Sequence, residues 1–293
     1  WIYQGVNGNP PIQTGVTATI ATERAAVIRG QIFDTDGDPI VGATVGAIDT
    51  TLGYGETVTR QDGGFDYVVN GGGQVLLRVT APGYLEAQRR IDVPWGDYRV
   101  IDQVVLVQPD ATSTPIALGV SSVQSHQASP VADDDGARKA TLIFPPFTTA
   151  TFVDAQGNPT PATGPISVRA TEYTVGDAGP ERMPADLPKT SAYTYAVELS
   201  VDEEPPGTAS VVFNAPIYFY LENFLEFPVG VKVPMGYYDR LVSRWSPERD
   251  GRVIAIVDIA AGQAEIDLDG DGVAEPPAVL EAALDMQLGE RVR

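Results

Sequence analysis

Glycine and proline punctuate this chain at short intervals. Its 293 residues carry 30 Gly and 24 Pro, spread along the length and gathered in no single tract. Proline ends helices and central strands, and glycine supplies the positive φ of tight turns. A chain cut at that spacing folds into many short strands joined by turns, not into a helical bundle. Between the turns, apolar residues alternate with polar ones. In Gln74–Thr80, Val75, Leu77 and Val79 point one way and Gln74, Arg78 and Thr80 the other, as in a strand buried on one face. Tyr193–Val201 reads the same way: Tyr193, Tyr195, Val197, Leu199 and Val201 against Thr194, Glu198 and Ser200. The expected fold class is all-β.

The first 24 residues have turn chemistry and little periodicity, and are expected to be an extended lead-in lying on a neighbour. Strand signals follow at Ala26–Phe33, Ile40–Asp49, Glu56–Gln61, Phe65–Val69, Gln74–Thr80, Tyr84–Val93 and Tyr98–Val107. Turn residues recur between them about every 8–12 positions, the signature of a β-sandwich. The first sandwich is assigned to 25–110 and a linker to 111–136, where Thr112-Ser113-Thr114-Pro115 looks flexible and Asp133-Asp134-Asp135-Gly136 reads as a solvated acidic turn. A second β-domain is assigned to 137–262, with Arg252–Ile259 as its last strong strand. Residues 263–293 are read as an acidic loop and a short helix leading to a further domain. The helix is expected over 278–286, behind Pro277.

Residues 213–245 stand out within the second domain. They hold nine of the 24 aromatic residues, yet Pro216, Pro228, Pro234, Gly230 and Gly236 forbid one long helix. The stretch must be short extended pieces carrying unusual aromatic surface. The rings either fill a core or form a surface that another part of a larger molecule covers. Tyr218, Tyr220, Phe224, Phe227, Tyr237, Tyr238 and Trp245 are the interface candidates.

Charge and residue inventory exclude several functions. Asp plus Glu number 39 against 19 Lys plus Arg, a net charge of -20. Nucleic acid and anionic membranes require a basic footprint, so neither is an expected partner. No run of about 18 apolar residues is present to span a bilayer. With no cysteine, there is no disulfide, zinc thiolate or cysteine nucleophile. The single histidine, His126, lies in a serine-rich stretch without a Gly-x-Ser-x-Gly elbow, so no catalytic residue is assigned and the chain is not read as an enzyme.

The sharpest motif is Asp267-Leu268-Asp269-Gly270-Asp271-Gly272-Val273-Ala274-Glu275. Alternating carboxylates around a turn-permitting glycine suit a hard cation such as calcium. It begins like an EF-hand loop, but Ala278 stands where that loop needs a bidentate Glu, and Pro276-Pro277 interrupts it. Asp267, Asp269, Asp271 and Glu275 are the candidate ligands of a shorter calcium loop; the other reading is an acidic, Gly-rich turn. Asp34-Thr35-Asp36-Gly37-Asp38 has a similar look but sits where a hairpin turn is expected.

Two resemblances bear on these expectations. Gly30, Asp36-Gly37-Asp38-Pro39-Ile40, Gly42-Ala43-Thr44-Val45, Asp62-Gly63-Gly64-Phe65 and Ala81-Pro82-Gly83-Tyr84 resemble the carboxypeptidase regulatory-like module, a transthyretin-like sandwich with no catalysis of its own. Over the full length, Gln13-Thr14-Gly15-Val16, Val69-Asn70-Gly71-Gly72-Gly73, Val93-Pro94-Trp95, Met183-Pro184, Val233-Pro234-Met235-Gly236-Tyr237-Tyr238-Asp239-Arg240 and Asp267–Gly272 stand in the order of the region ahead of the repeats in large bacterial RHS (YD-repeat) proteins, relatives of the teneurins. The resemblance implies two tandem sandwiches, transthyretin-like and then a fibronectin- or immunoglobulin-like plug. It also implies a secreted or cell-surface parent whose YD-repeat shell is the partner, and which can enclose a C-terminal toxin or other cargo. The chain would be cap and plug. The alternative is a calcium-dependent adhesion or carbohydrate-binding tandem sandwich.

Overall fold

The structure is a computed structural model, and it describes residues 12–176, 179–188 and 192–284. Its architecture is all-β, with two short α-helices and one 3-10 turn, Thr50–Leu52, among the described residues. The chain divides into two compact units. The first takes the chain to Pro109 together with Glu172–Val197; the second takes Asp110–Thr171 and the chain from Glu198 on.

The first unit is a sandwich of two four-stranded sheets. Its strands are β1 (Ala25–Phe33), β2 (Thr44–Ala47), β3 (Glu56–Val58), β4 (Gly64–Asn70), β5 (Gly73–Thr80), β6 (Ala87–Val93), β7 (Tyr98–Val100) and β8 (Val104–Val105). One sheet runs β4-β1-β7, with β8 also on β1; the other runs β3-β2-β5-β6. The alternation that marks β5 places Val75, Leu77 and Val79 in the core, with Ile28, Ile32, Val45, Phe65, Tyr67 and Val104. The Tyr67 hydroxyl donates to the Gly55 carbonyl at 2.8 Å and accepts from the Ala47 N–H at 3.0 Å. Burial pushes its phenol up to about 12.

Three edges of these sheets are closed by segments from elsewhere in the chain. Thr14 pairs with Glu56, N–H to carbonyl in both directions at 2.8 and 2.9 Å, and so covers β3. The buried Gln13 amide lies along β4. Its Nε2 donates to the Val68 and Tyr54 carbonyls at 2.9 and 2.5 Å, and its Oε1 accepts the Val68 N–H at 2.6 Å. Residues 12–24 therefore lie on their own unit, not on a neighbour as expected; residues 1–11 are outside the described part. On the far side, Gln88 N–H donates to the Pro184 carbonyl at 2.7 Å and Arg90 N–H to the Asp186 carboxylate at 3.3 Å, closing β6. Unpaired edge strands invite association with other chains, and these contacts remove the invitation.

The second unit begins inside the expected linker. Its strands are β9 (Thr114–Ile116), β10 (Gln124–Gln127), β11 (Val131–Asp133), β12 (Gly136–Arg138), β13 (Ala140–Phe144), β14 (Ala150–Asp154), β15 (Pro159–Pro161), β16 (Ile166–Glu172), β17 (Val197–Val201), β18 (Thr208–Phe213), β19 (Tyr218–Leu221), β20 (Lys232–Asp239), β21 (Arg244–Arg252), β22 (Ala255–Ala260) and β23 (Gln263–Asp267). Three three-stranded sheets, β10-β13-β19, β15-β14-β18 and β17-β16-β9, surround Ile116, Leu142, Phe144, Phe152, Ile166 and Val168. Ile116 is fully buried, so the Thr/Ser/Pro composition of 111–136 hides inward-facing positions. Three two-stranded ribbons complete the unit: β11-β12, β20-β21 and β22-β23. Helix α1 (Gly179–Arg182) belongs to the first unit, and α2 (Pro277–Leu284) to the second. Pro277 starts α2 as the sequence suggests, and Leu280 packs under it on Ile266 and Leu268. Asp285 and Met286, also expected in this helix, lie outside the described residues.

Two sequence expectations need correction. The alternation of Tyr193–Val201 yields a strand only over Val197–Val201, and Leu199 is 49% exposed on it. Glu198, expected on the wet side, is held by a bidentate ion pair to Arg240 at 2.8 Å for each contact. The acidic turn at 133–136 is no free loop either. Asp133 takes both nitrogens of the buried Arg138 guanidinium at 2.7 and 2.8 Å.

Candidate functional site

Two places hold the residues singled out by sequence. The acidic loop leaves β23, whose last residue, Asp267, is 2% exposed because Ile266 and Leu268 on either side enter the core. The Asp267 carboxylate turns back on its own loop. Oδ1 accepts the N–H groups of Asp269 and Gly270 at 3.0 and 2.7 Å, and Oδ2 accepts that of Gly272 at 2.9 Å. Those donors, the Gly270 N–H foremost, hold the carboxyl below its ordinary range. Gly270 and Gly272 have φ of 85° and 81°, a conformation that glycine adopts without strain. Asp271 accepts the Val273 N–H at 2.8 Å.

This folding of the loop gathers three carboxylates. Asp267, Asp269 and Glu275 each offer an oxygen within 4.8 Å of the others. Asp271, the fourth expected ligand, is not part of that group; its side chain serves the outer turn. Three carboxylate oxygens form half or less of the six to eight that calcium takes, so loop carbonyls and water would have to supply the rest. Much of the loop's alternating acidic pattern is thus explained by its own backbone turns, as one reading of the sequence has it.

The seven aromatic candidates have different surroundings. Tyr218 and Tyr220 of β19 lean on Ile266, Leu268 and Leu280, while Phe219 between them faces the other core. Phe224 lies under the Arg138 guanidinium, 4.5 Å from its ring centre. Tyr238 and Trp245 face each other across β20-β21, ring centres 5.3 Å apart. Phe227 closes a tight loop with Asn223, exchanging bonds of 2.7 and 2.9 Å, and stays partly open. Tyr237 is the most exposed of the seven.

Sequence reasoning missed the apolar surface on the ribbons. Arg252–Ile259 has the composition of a core strand, but Ile256, Val257 and Ile259 of β22 are 39–53% exposed. At the turn of β20-β21, Leu241 and Val242 point outward, their N–H groups tied to Asp239 Oδ1 at 2.9 and 3.3 Å. The available signal was Leu-Val directly after Asp239-Arg240, two large apolar residues at a turn position that ordinarily takes polar ones. His126 is buried, its Nδ1 3.0 Å from Thr114 Oγ1, and makes no serine–histidine pair. Among the described residues, no helix is long and apolar enough to cross a membrane.

Comparison with known proteins finds relatives of part of the first unit. Residues 20–106 match the family model described as the Teneurin TTR-like domain. Mouse Teneurin-1 is 35% identical over 126 residues, 42% of this chain and 5% of that protein. Mouse Teneurin-4 is 38% identical over 82 residues, 28% of this chain and 3% of that protein. Drosophila melanogaster Teneurin-m is 42% identical over 88 residues, 30% of this chain and 3% of that protein. The chain thus spans only 3–5% of the length of these curated relatives. Among solved structures, 3-chlorocatechol 1,2-dioxygenase from Rhodococcus opacus has a TM-score of 0.26 at 10% identity, covering 36% of this chain and 69% of that one. A likeness that weak carries no argument.

Proposed function

We propose that the teneurin TTR-like domain at residues 20–106 and the second unit together form a non-catalytic structural module, the cap and plug of a YD-repeat shell in the same, larger, secreted or cell-surface polypeptide. The observation that carries this reading is the uncovered apolar surface of the second unit. Leu241, Val242, Ile256, Val257 and Ile259 stand open on two ribbons of a chain whose net charge is -20. An apolar patch on a strongly charged protein is the ordinary mark of a place where another surface sits, and Ile256, Val257 and Ile259 lie together on β22. The TTR-like match supports a structural or adhesion-type module. The shell as partner rests on the order of the sequence motifs.

The test is cross-linking mass spectrometry on the native polypeptide, with the chain itself probed by a hydrophobic dye. Cross-links from 232–260 to Tyr-Asp repeat segments are expected. Leu241→Asp combined with Ile256→Asp should reduce dye binding several-fold without lowering the unfolding midpoint. A native polypeptide that carries no such repeats would sink the shell reading.

A calcium-dependent adhesion module is the second reading, favoured by the carboxylate group of Asp267, Asp269 and Glu275. It predicts that millimolar calcium raises the unfolding midpoint and that Asp269→Asn with Glu275→Gln abolishes the rise. An unchanged midpoint in calcium would remove it.

A further inference from the structure

The chain has one histidine, and the fold hides it completely: His126 is 0% exposed. It sits on β10 opposite Leu142 of β13, in the second unit. Nδ1 meets Thr114 Oγ1 of β9 at 3.0 Å, while Nε2 has no hydrogen-bond partner. A neutral imidazole carries one N–H and one lone pair, so one of the two is stranded at Nε2. Protonation would strand an N–H there and bring a charge with it.

The surrounding groups do not accommodate that charge. Asp110, which precedes β9, favours the charged ring, but its carboxylate is hydrogen-bonded elsewhere. Oδ1 accepts the Thr112 N–H at 2.9 Å and the Ser129 hydroxyl at 2.6 Å, and Oδ2 accepts the Ser129 N–H at 2.7 Å. Arg169 of β16 acts on the ring with the same sign of charge. It is fixed in place by Asp202, through two contacts of 2.7 Å, and by the Asp110 carbonyl, with Glu203 beside it. From β13 comes the apolar Leu142; Lys139 reaches Gln127, the next residue of β10, at 3.0 Å on the exposed side. Burial holds the imidazole below its ordinary value, Asp110 opposes the shift and Arg169 reinforces it.

We propose that His126 is an acid-sensitive latch of the second unit, whose protonation loosens the contact between β9 and β10 as pH falls from neutral toward about 5. Above about 6.5 both folded and unfolded chains hold the imidazole neutral, and the contact is at full strength. Below that value the unfolded chain takes up a proton that the folded chain resists, so stability is lost as pH falls. Each pH unit separating the folded from the unfolded value costs tenfold in the folding equilibrium. The inference is independent of the shell reading, because the latch lies wholly within the second unit.

A single histidine makes the test direct. The full chain is titrated by NMR through its one imidazole Hε1 signal, and unfolding is followed from pH 7.5 to 5.0 beside His126→Asn, which keeps a polar group facing Thr114. The expected results are an imidazole that titrates below 6.5, an unfolding midpoint that drops in this window only in the parent chain, and faster hydrogen exchange at Thr114–Ile116 and Gln124–Gln127 at pH 5. An imidazole titrating at or above 6.5 overturns the proposal, whether or not the variant folds. So does an equal drop in both proteins, which would assign the acid sensitivity to carboxylates.

Discussion

Arg138 is a cation sealed almost wholly from water, its side chain 1% exposed against 15% for Asp133. It also donates to the Gly136 carbonyl at 3.2 Å and lies over the Phe224 ring. Removing one partner of a buried pair leaves the other charge uncompensated. Arg138→Met should therefore cost about 3–5 kcal/mol of the second unit's stability, read by urea unfolding. Substituting both Arg138 and Asp133 by apolar residues should recover much of that loss. A cost below about 1 kcal/mol for the single change would mean the pair is hydrated in solution. The sequence shows the acidic triplet but not this partner, since pairing across the β11-β12 ribbon depends on register. Val131 opposite Arg138 and Asp133 opposite Gly136 form that register, which three aspartates in a row do not encode. The calcium loop teaches a related lesson. Its carboxylates are as legible as sequence can make them, yet which oxygens are free and which hold backbone is decided by two glycines with left-handed φ.

At the scale of elements, local alternation is legible where one face meets a core and misleading where side chains find specific partners. Val75, Leu77 and Val79 follow the rule; Glu198 escapes it because Arg240 reaches back to hold it. Within the triple glycine 71–73, Gly71 and Gly72 let the chain after β6 approach. A β-carbon on Gly72 would fall 1.9 Å from Trp95 Nε1, and one on Gly71 would fall 1.8 Å from the Pro94 carbonyl oxygen. The Met183-Pro184 motif is likewise explained only by the fold. Arg89, in β6, donates to the carbonyls of Gln88, Met183 and Glu181 at 2.8, 3.1 and 2.9 Å, and Met183 is buried beside it. Arg89→Ala leaves those carbonyls without their donor, so a loss of about 1–3 kcal/mol in the first unit is expected. The more telling readout is limited proteolysis, with cleavage within 174–188 accelerating at least tenfold. Unchanged cleavage would mean that the Gln88–Pro184 bond and the burial of Met183 suffice to hold the segment.

For the whole molecule, the sequence conveys class and much of the strand content. It does not convey how the chain is shared out between units. Glu172–Val197 lies in sequence among strands of the second unit and packs with the first. Polarity and two prolines at 184 and 188 make this stretch look like a surface loop, and the partners that contradict that reading are about 90 residues away, at Gln88 and Arg89. The exposed ribbons escaped notice for the opposite reason. An apolar run looks like core, and the sequence does not show that Ile256 and Ile259 belong to a sheet only two strands wide and stay 53% and 39% exposed.

The closed edges of the first unit carry a consequence for heredity. The family model covers 20–106, yet Gln13 and Thr14 precede that span, and Pro184 and Asp186 lie well beyond it. A gene fragment copied at those boundaries would deliver a sandwich with β3, β4 and β6 bare. Recombination could move this domain into a new host only by carrying the flanking sequence along, or by landing where the host offers substitutes. What is inherited as one module is therefore, physically, three pieces of chain that must travel together.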